Sequence, residues 1–327
     1  MRAGVTRRGF MQATLAGAAL AGLNLRLQGK STNPMPFKLG IISDEITQDL
    51  EQALKFLDEY SLHYVELREM WQKNIMSLSK PELARARQMI RAHHLTVSDI
   101  GSPVYKYNIP NMPARPEKRD TFRANFTEQD SDDLLKRSFE LAHYFGTPKV
   151  RVFSYWRVPD PSKAYPYVRE KLVHAAEMAG KNGILLVLEN EHECNVGTGA
   201  ELAHILDDIR SPHLRGNWDP GNDVMLGEVP YPNGYKLVRG KFAHVHVKDV
   251  SKDPATGKLK WAPVGGGIID WKGQFQALVD DHYDGTMSLE THYRRPDGNR
   301  MESTRESLEG LLHIVQNLKA PANGNSM

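Results

Sequence analysis

Four short apolar runs in the second half of the chain each end on a residue able to bind a cation or move a proton. Residues 184–188 run into Glu189-Asn190-Glu191, and Gly216-Asn217-Trp218 into Asp219-Pro220-Gly221-Asn222. Ala243-His244-Val245-His246-Val247 runs into Lys248-Asp249, and Met287-Ser288-Leu289 into Glu290-Thr291-His292. On a β-strand, side chains alternate between two faces. His244, His246 and Lys248 therefore share one face, with Val245 and Val247 on the other; Glu189 opposes Leu188, and Glu290 opposes Leu289 and Thr291. Three carboxylates meeting on one axis repel and take up protons unless a cation lies among them. One divalent ion held by Glu189, Asp219, His246 and Glu290 resolves the conflict. An oxygen-rich set with one imidazole suits Mn²⁺, Mg²⁺, Co²⁺ or Zn²⁺. The plainer alternative is a metal-free network of hydrogen-bonded polar groups, and four successive strand ends of this kind weigh against it.

These residues need a scaffold that brings successive strand ends together. Strand-like runs at 37–42, 63–67, 95–100, 150–153, 184–188, 215–218, 242–247 and 286–289 alternate with helical spacing at 49–60, 80–93, 132–145, 167–181, 200–209, 271–282 and 303–318. Strands alternating with helices imply a parallel sheet. Eight such units predict an α/β fold, a single (β/α)8 TIM barrel with its site at the carboxyl ends of the strands. No Gly-x-Gly-x-x-Gly follows a strand, which argues against a dinucleotide-binding sheet. Gly265-Gly266-Gly267 reads as a flexible loop. The proline-rich segment 103–116 is too long for a plain connection and is expected over the barrel mouth.

The chain has 327 residues, 40% hydrophobic and 25% charged, with net charge +2. That composition is globular, and the charge gives no case for a nucleic-acid partner. A single cysteine, Cys194, rules out an intrachain disulfide and a cysteine zinc cluster. The first 29 residues carry Arg2, Arg7, Arg8 and Arg26 and no acid, so removing them takes the formal charge from +2 to −2. Residues 6–12, Thr-Arg-Arg-Gly-Phe-Met-Gln, resemble a twin-arginine export signal, followed by a small-residue apolar stretch at 13–25 that is too short to span a membrane. The expected organisation is a signal peptide and linker at 1–34, the barrel at 35–320 and a disordered tail at 321–327. The expected location is periplasmic or extracellular, reached through the twin-arginine machinery and without stable membrane insertion. The oligomeric state stays open, a homo-oligomer included.

Leu188-Glu189-Asn190, Trp218-Asp219-Pro220-Gly221-Asn222, His246-Val247-Lys248-Asp249 and Leu289-Glu290 resemble the metal-site motifs of the sugar phosphate isomerase/epimerase superfamily. That group shares a xylose isomerase-like barrel with the AP endonuclease family. Ser43-Asp44-Glu45-Ile46 and Glu66-Leu67-Arg68 add to the likeness, which covers residues 37–318. The resemblance implies one ion of the Mn²⁺ type on Glu189, Asp219, His246 and Glu290, with Glu189 and Glu290 as the acid/base pair. One departure is that the ketose 3-epimerases carry a substrate-contacting histidine where this chain has Asn222.

The implied reaction is proton abstraction next to a metal-bound carbonyl of an unphosphorylated ketose or keto-glycoside, through an enediolate. One glutamate removes the proton and the other returns it, giving an epimerase or isomerase; loss of a β-substituent gives a lyase or dehydratase. Lys248 is expected either to stabilise oxyanion charge or to pair with Glu191 or Asp249. Glu66 and Arg68 are read as substrate contacts or a buried pair. Glu191, His192, Asn222 and His292 complete the expected substrate site, with Trp156 as the sugar-stacking residue. His244, one layer deeper, and Trp218 read as core. A nuclease would need a larger histidine-rich metal set and a basic groove, and a non-catalytic sugar-binding protein would not need two opposed carboxylates.

Overall fold

The computed structural model describes residues 35–112, 114 and 121–320. The expected signal segment 1–34 and tail 321–327 lie outside them. Eight parallel strands form a closed barrel: β1 (Lys38–Ile42), β2 (Tyr64–Leu67), β3 (Thr96–Ile100), β4 (Lys149–Val152), β5 (Leu185–Glu189), β6 (Leu214–Trp218), β7 (Phe242–Val247) and β8 (Thr286–Leu289). Each strand pairs with its sequence neighbours, and β1 closes the ring on β8 with Lys38 opposite Thr286. The matched fold class is the (β/α)8 barrel.

The helices are set by local signals. In α1 (Leu50–Glu59), Leu50, Ala53, Leu54 and Leu57 are buried at helical spacing and Asp49 caps the first turn through the Gln52 N–H. Ser79 and Glu82 form a capping box on α2 (Lys80–Ala92). Gly146, at φ 77°, ends α3 (Ser131–Phe145) in the left-handed conformation that glycine adopts without strain. Next, α4 (Pro161–Lys181) starts six residues before its expected beginning, because Asp160 caps it and Pro161 fits its first turn. A capping box of Thr198 and Glu201 opens α5 (Gly199–Ile209). Between β6 and β7 there is only the short α6 (Pro220–Met225) and a few further turns, since Pro230, Pro232 and Gly234 interrupt any longer helix. The last two are α7 (Trp271–Asp280) and α8 (Arg300–Gln316).

Strand parity sorts the core as the valines suggest. Val245, Val247, Leu186 and Leu188 are fully buried against the helices. Trp218, also fully buried, donates its indole N–H to Gln274 of α7 at 3.1 Å. The proline-rich segment after β3 packs inward: Val104, Tyr105 and Tyr107 are buried, and their carbonyls accept the N–H groups of Phe153, Tyr155 and Trp156. It forms one wall of the mouth, and its continuation at 113 and 115–120 lies outside the described residues. No helix among the described residues is long and apolar enough to cross a membrane.

Candidate metal centre

The four strand-end residues converge. Glu189 closes β5, Asp219 follows β6, His246 lies in β7 and Glu290 follows β8, and all four are at most 1% exposed. From Nδ1 of His246, Glu189 Oε1 and Glu290 Oε2 are each 3.4 Å away and Asp219 Oδ2 is 3.9 Å away. Ligand atoms about 2.0–2.2 Å from one ion stand roughly 3–4 Å from each other, so the spacing fits a divalent cation. The donor chemistry fits as well. His246 Nδ1 and Glu189 Oε2 are buried without a hydrogen-bond partner, while His246 Nε2 lies 3.1 Å from Glu66 Oε2. With the ring proton on Nε2, the Nδ1 lone pair faces the carboxylates.

Among the described residues, two other groups of acids and histidines lie equally close together: Glu66 with His244 and His246, and Glu45 with Glu290 and His292. The first has one carboxylate, already shared by two imidazoles at 3.1 and 3.3 Å. The second is bridged by guanidinium groups, Arg68 to Glu45 and Glu290 at 2.7 Å and Arg294 to Glu45 at 3.0 Å. Only the Glu189, Asp219, His246 and Glu290 set combines three carboxylates with an open imidazole nitrogen.

The surrounding charges tune the carboxylates differently. Burial pushes the Asp219 carboxyl up to about 6, against the pull of Lys248. Burial works the same way on Glu189, but His246 and Arg151 hold it below the usual carboxylate range. Glu290 is held well below that range, against burial, chiefly by Lys248 and the nearby histidines. Its two oxygens are gripped at 2.7 Å each, one by Arg68 and one by Lys248. Lys248 Nζ also stands 2.9 Å from Asp219 Oδ2, so the structure pairs this lysine with metal-site carboxylates, not with Asp249. Burial opposes the protonation of His246, yet Glu66, Glu189 and Glu290 raise its affinity for a proton well above the ordinary value. A cation at Nδ1 would take that proton's place.

Beyond Arg68, which holds Glu290, opens a cavity of about 500 Å³, and neither the four strand-end residues nor Lys248 is among those that line it. Of the residues assigned to a substrate site, Arg68, Glu191, His192 and His292 line it; Glu66, Asn222 and Trp156 are not among its lining residues. Glu66 shares parity with Arg68 but lies further from the strand end and is fully buried, bound to His244 and His246. Of the two readings given for it, it lines no part of this cavity, and it makes no pair with Arg68, which binds Asp44, Glu45 and Glu290. Asn222 is also fully buried and bridges His192 Nδ1, at 2.8 Å, to Glu189 Oε1, at 3.5 Å. Trp156 packs with Phe122, Phe153 and Cys194, so the expected stacking residue is part of a hydrophobic cluster. His244 binds Thr286 Oγ1 at 2.6 Å and is core, as read.

The aromatic wall comes instead from Trp261, which the sequence reading missed. It stands on a hairpin of Asp249–Lys252 and Leu259–Ala262 after β7, edge-on to His192 at 5.9 Å and to His292 at 5.0 Å. Its ring centre is 5.2 Å from Lys248 Nζ. The Asp249 carboxylate anchors the loop beyond the hairpin by accepting the N–H groups of Val250, Gly265, Gly267 and Ile269. At Gly267 a Cβ would lie 2.1 Å from Asp249 Oδ1, so this glycine is required by close approach, not by loop flexibility. Lys106, from the proline-rich segment, reaches the cavity with its ammonium 3.8 Å from the centre of the Phe122 ring and 3.5 Å from Glu191 Oε2.

The cavity wall carries five acids (Asp44, Glu45, Glu69, Glu191, Glu193) and five bases (Arg68, Lys106, Arg123, Arg294, Arg300). Among the described residues, acids and bases in the wall are equal in number.

Residues 54–314 match the model of the xylose isomerase-like TIM barrel family. No curated protein matches the chain by sequence. Among solved structures, the IOLI protein with a bound zinc atom superposes with TM-score 0.66 at 17% identity, over 86% of this chain and 99% of that one. The probable 3-DHS dehydratase AsbF of Bacillus anthracis, involved in petrobactin synthesis, gives 0.62 at 16%, over 82% and 98%. The 3-keto-D-glucoside 4-epimerase YcjR of E. coli gives 0.59 at 16%, over 84% and 98%. At these identities the likeness is one of fold.

Proposed function

Because the chain belongs to the xylose isomerase-like TIM barrel family, we propose that it is a metal-dependent sugar isomerase or epimerase acting on an unphosphorylated ketose or keto-glycoside. The observation that carries this reading is the convergence of Glu189 and Glu290 on His246 Nδ1 from strands separated by β6 and β7. Enzymes of this fold include one that epimerises a keto-glucoside and a probable dehydratase.

Glu189, Asp219, His246 and Glu290 would hold the ion, Mn²⁺ being the first choice. A divalent ion there supplies Lewis-acid polarisation of a carbonyl and so acidifies the adjacent C–H. Glu189 is the stronger candidate to take that proton: its Oε2 accepts no hydrogen bond, with Arg151 Nη1 3.4 Å away, and its carboxyl is held less far below the usual range than that of Glu290. Glu290, tied by Arg68 and Lys248, is the weaker base and suits the return of a proton. Lys248 brings an ammonium beside developing oxyanion charge. Trp261 offers an apolar face for a sugar ring, between two imidazoles that can bind hydroxyls.

The balanced charge of the cavity wall supports a neutral sugar. The twin-arginine run at residues 6–12 supports an exported enzyme, which meets sugars without phosphate. Loss of a β-substituent after the same proton transfer would make the protein a lyase, and His192 is the observation that favours it.

The test is incubation of Mn²⁺-loaded protein in D₂O with a panel of ketoses and 3-keto-glycosides. Deuterium entering the carbon next to the carbonyl is expected for at least one of them. Absence of exchange across the panel would sink the reading.

A further inference from the structure

His192 differs from every other imidazole around the cavity. Its Nδ1 faces two acceptors, Glu191 Oε1 at 2.7 Å and Asn222 Oδ1 at 2.8 Å. That nitrogen therefore carries a proton, and Nε2 is the one left for a ligand. The ring lines the cavity and is held edge-on to Trp261. His292, on the other side of Trp261, faces carboxylates with both nitrogens: Nδ1 is 3.4 Å from Glu45 Oε1 and Nε2 is 3.9 Å from Glu290 Oε1. Lys106 is caged over Phe122 and Phe153. Epimerisation and isomerisation need two proton-moving groups, and Glu189 and Glu290 already provide them. A third, carboxylate-backed imidazole joined to Glu189 through Asn222 is unused by that chemistry.

From this geometry we infer that His192 is an acid that protonates an oxygen leaving from the carbon β to the carbonyl, and that the site eliminates an alcohol from keto-glycosides. The inference rests on the proposed proton abstraction beside a carbonyl. On a 3-keto-glycoside the steps balance as follows. Glu189 takes the proton from C2. The C2–H electron pair becomes the C1=C2 double bond, and the C1–O bond breaks with its electrons on oxygen. The Nε2–H of His192 gives that oxygen its proton, so an alcohol leaves and an unsaturated 3-keto-sugar remains. Water then carries a proton from Glu189 back to His192, and no oxidant or reductant is consumed. Burial alone would lower the proton affinity of His192, but the charge of Glu191 outweighs it and raises that affinity. General acid catalysis of this kind contributes about 10²–10⁴-fold.

The test compares methyl and 4-nitrophenyl 3-keto-β-glucosides with Mn²⁺-loaded wild type and His192→Gln. 4-Nitrophenolate leaves without help, whereas methoxide needs a proton. The expected result is elimination of both aglycones by wild type, and a loss of about 100-fold or more in the variant on the methyl glycoside with less than about tenfold on the nitrophenyl one. The ratio between substrates is independent of how much variant is folded. Equal losses on both substrates, or none, would overturn the role of His192. Wild-type deuterium exchange at C2 without elimination would overturn the lyase inference and leave the proposed proton abstraction standing. Absence of both exchange and elimination would remove the reading beneath it.

Discussion

Glu66 Oε2 lies 3.1 Å from Nε2 of His246, and both side chains are fully buried. The contact fixes which nitrogen of His246 faces Glu189, Asp219 and Glu290. On the proposed function, Glu66 then orients a ligand of the ion and does not touch the sugar. Glu66→Gln should therefore weaken Mn²⁺ binding by about 10–100-fold, the usual cost of losing such a partner. Titration calorimetry on the metal-free protein checks this. Unchanged affinity with a raised KM alone would return Glu66 to the substrate.

Glu189→Gln keeps an oxygen for the ion and removes the base. Turnover should fall by about 10²–10⁴-fold, with metal content by elemental analysis close to one per chain. Near-normal turnover in a metal-replete variant would take the role from Glu189.

Metal binding should strengthen with pH. Burial raises Asp219 to about 6, and the carboxylates around His246 raise its pKa above the ordinary value near 6.5. Both groups hold a proton more tightly in the folded state. Their contributions to stability are complete at low pH; that of Asp219 fades between about 4 and 6, and that of His246 as pH rises through its elevated value. A cation replaces these protons, so Mn²⁺ should raise Tm more at pH 8 than at pH 5.5. Thermal unfolding with and without Mn²⁺ measures this, and an equal or larger rise at pH 5.5 would contradict it.

Trp261→Ala removes the aromatic wall between His192 and His292. KM should rise by about tenfold, equivalent to ~1.4 kcal/mol, with a smaller change in kcat. Steady-state kinetics decides. A change in kcat alone would mean that Trp261 orders the catalytic groups instead of holding the sugar.

The barrel was legible because its signals are local. Apolar runs such as 184–188 give the strands, and turn residues such as Gly146 close the helices. The four ligands were legible because parity and strand ends fix both face and height in a barrel. The depth of residues lying below the strand ends was not. Glu66 and Arg68 share a face, and only the register of β1 and β2, Ile42 opposite Glu66, places Glu66 a layer below the mouth. Side chains beyond strand ends were hardest. Trp156 turns into a cluster with Phe153, and Trp261 arrives on a hairpin whose position depends on Asp249 and Gly267. A signal existed in the pairing of Asp249 with the downstream glycine run, but sequence spacing alone does not show that they touch.

The central claim is a single divalent ion among Glu189, Asp219, His246 and Glu290. A crystal structure of the Mn²⁺-loaded protein, with anomalous scattering recorded at the manganese edge, tests it most directly. The account predicts one strong peak bounded by those four side chains, with His246 bound through Nδ1. A peak at Glu45 and His292, or none in the barrel, would contradict it.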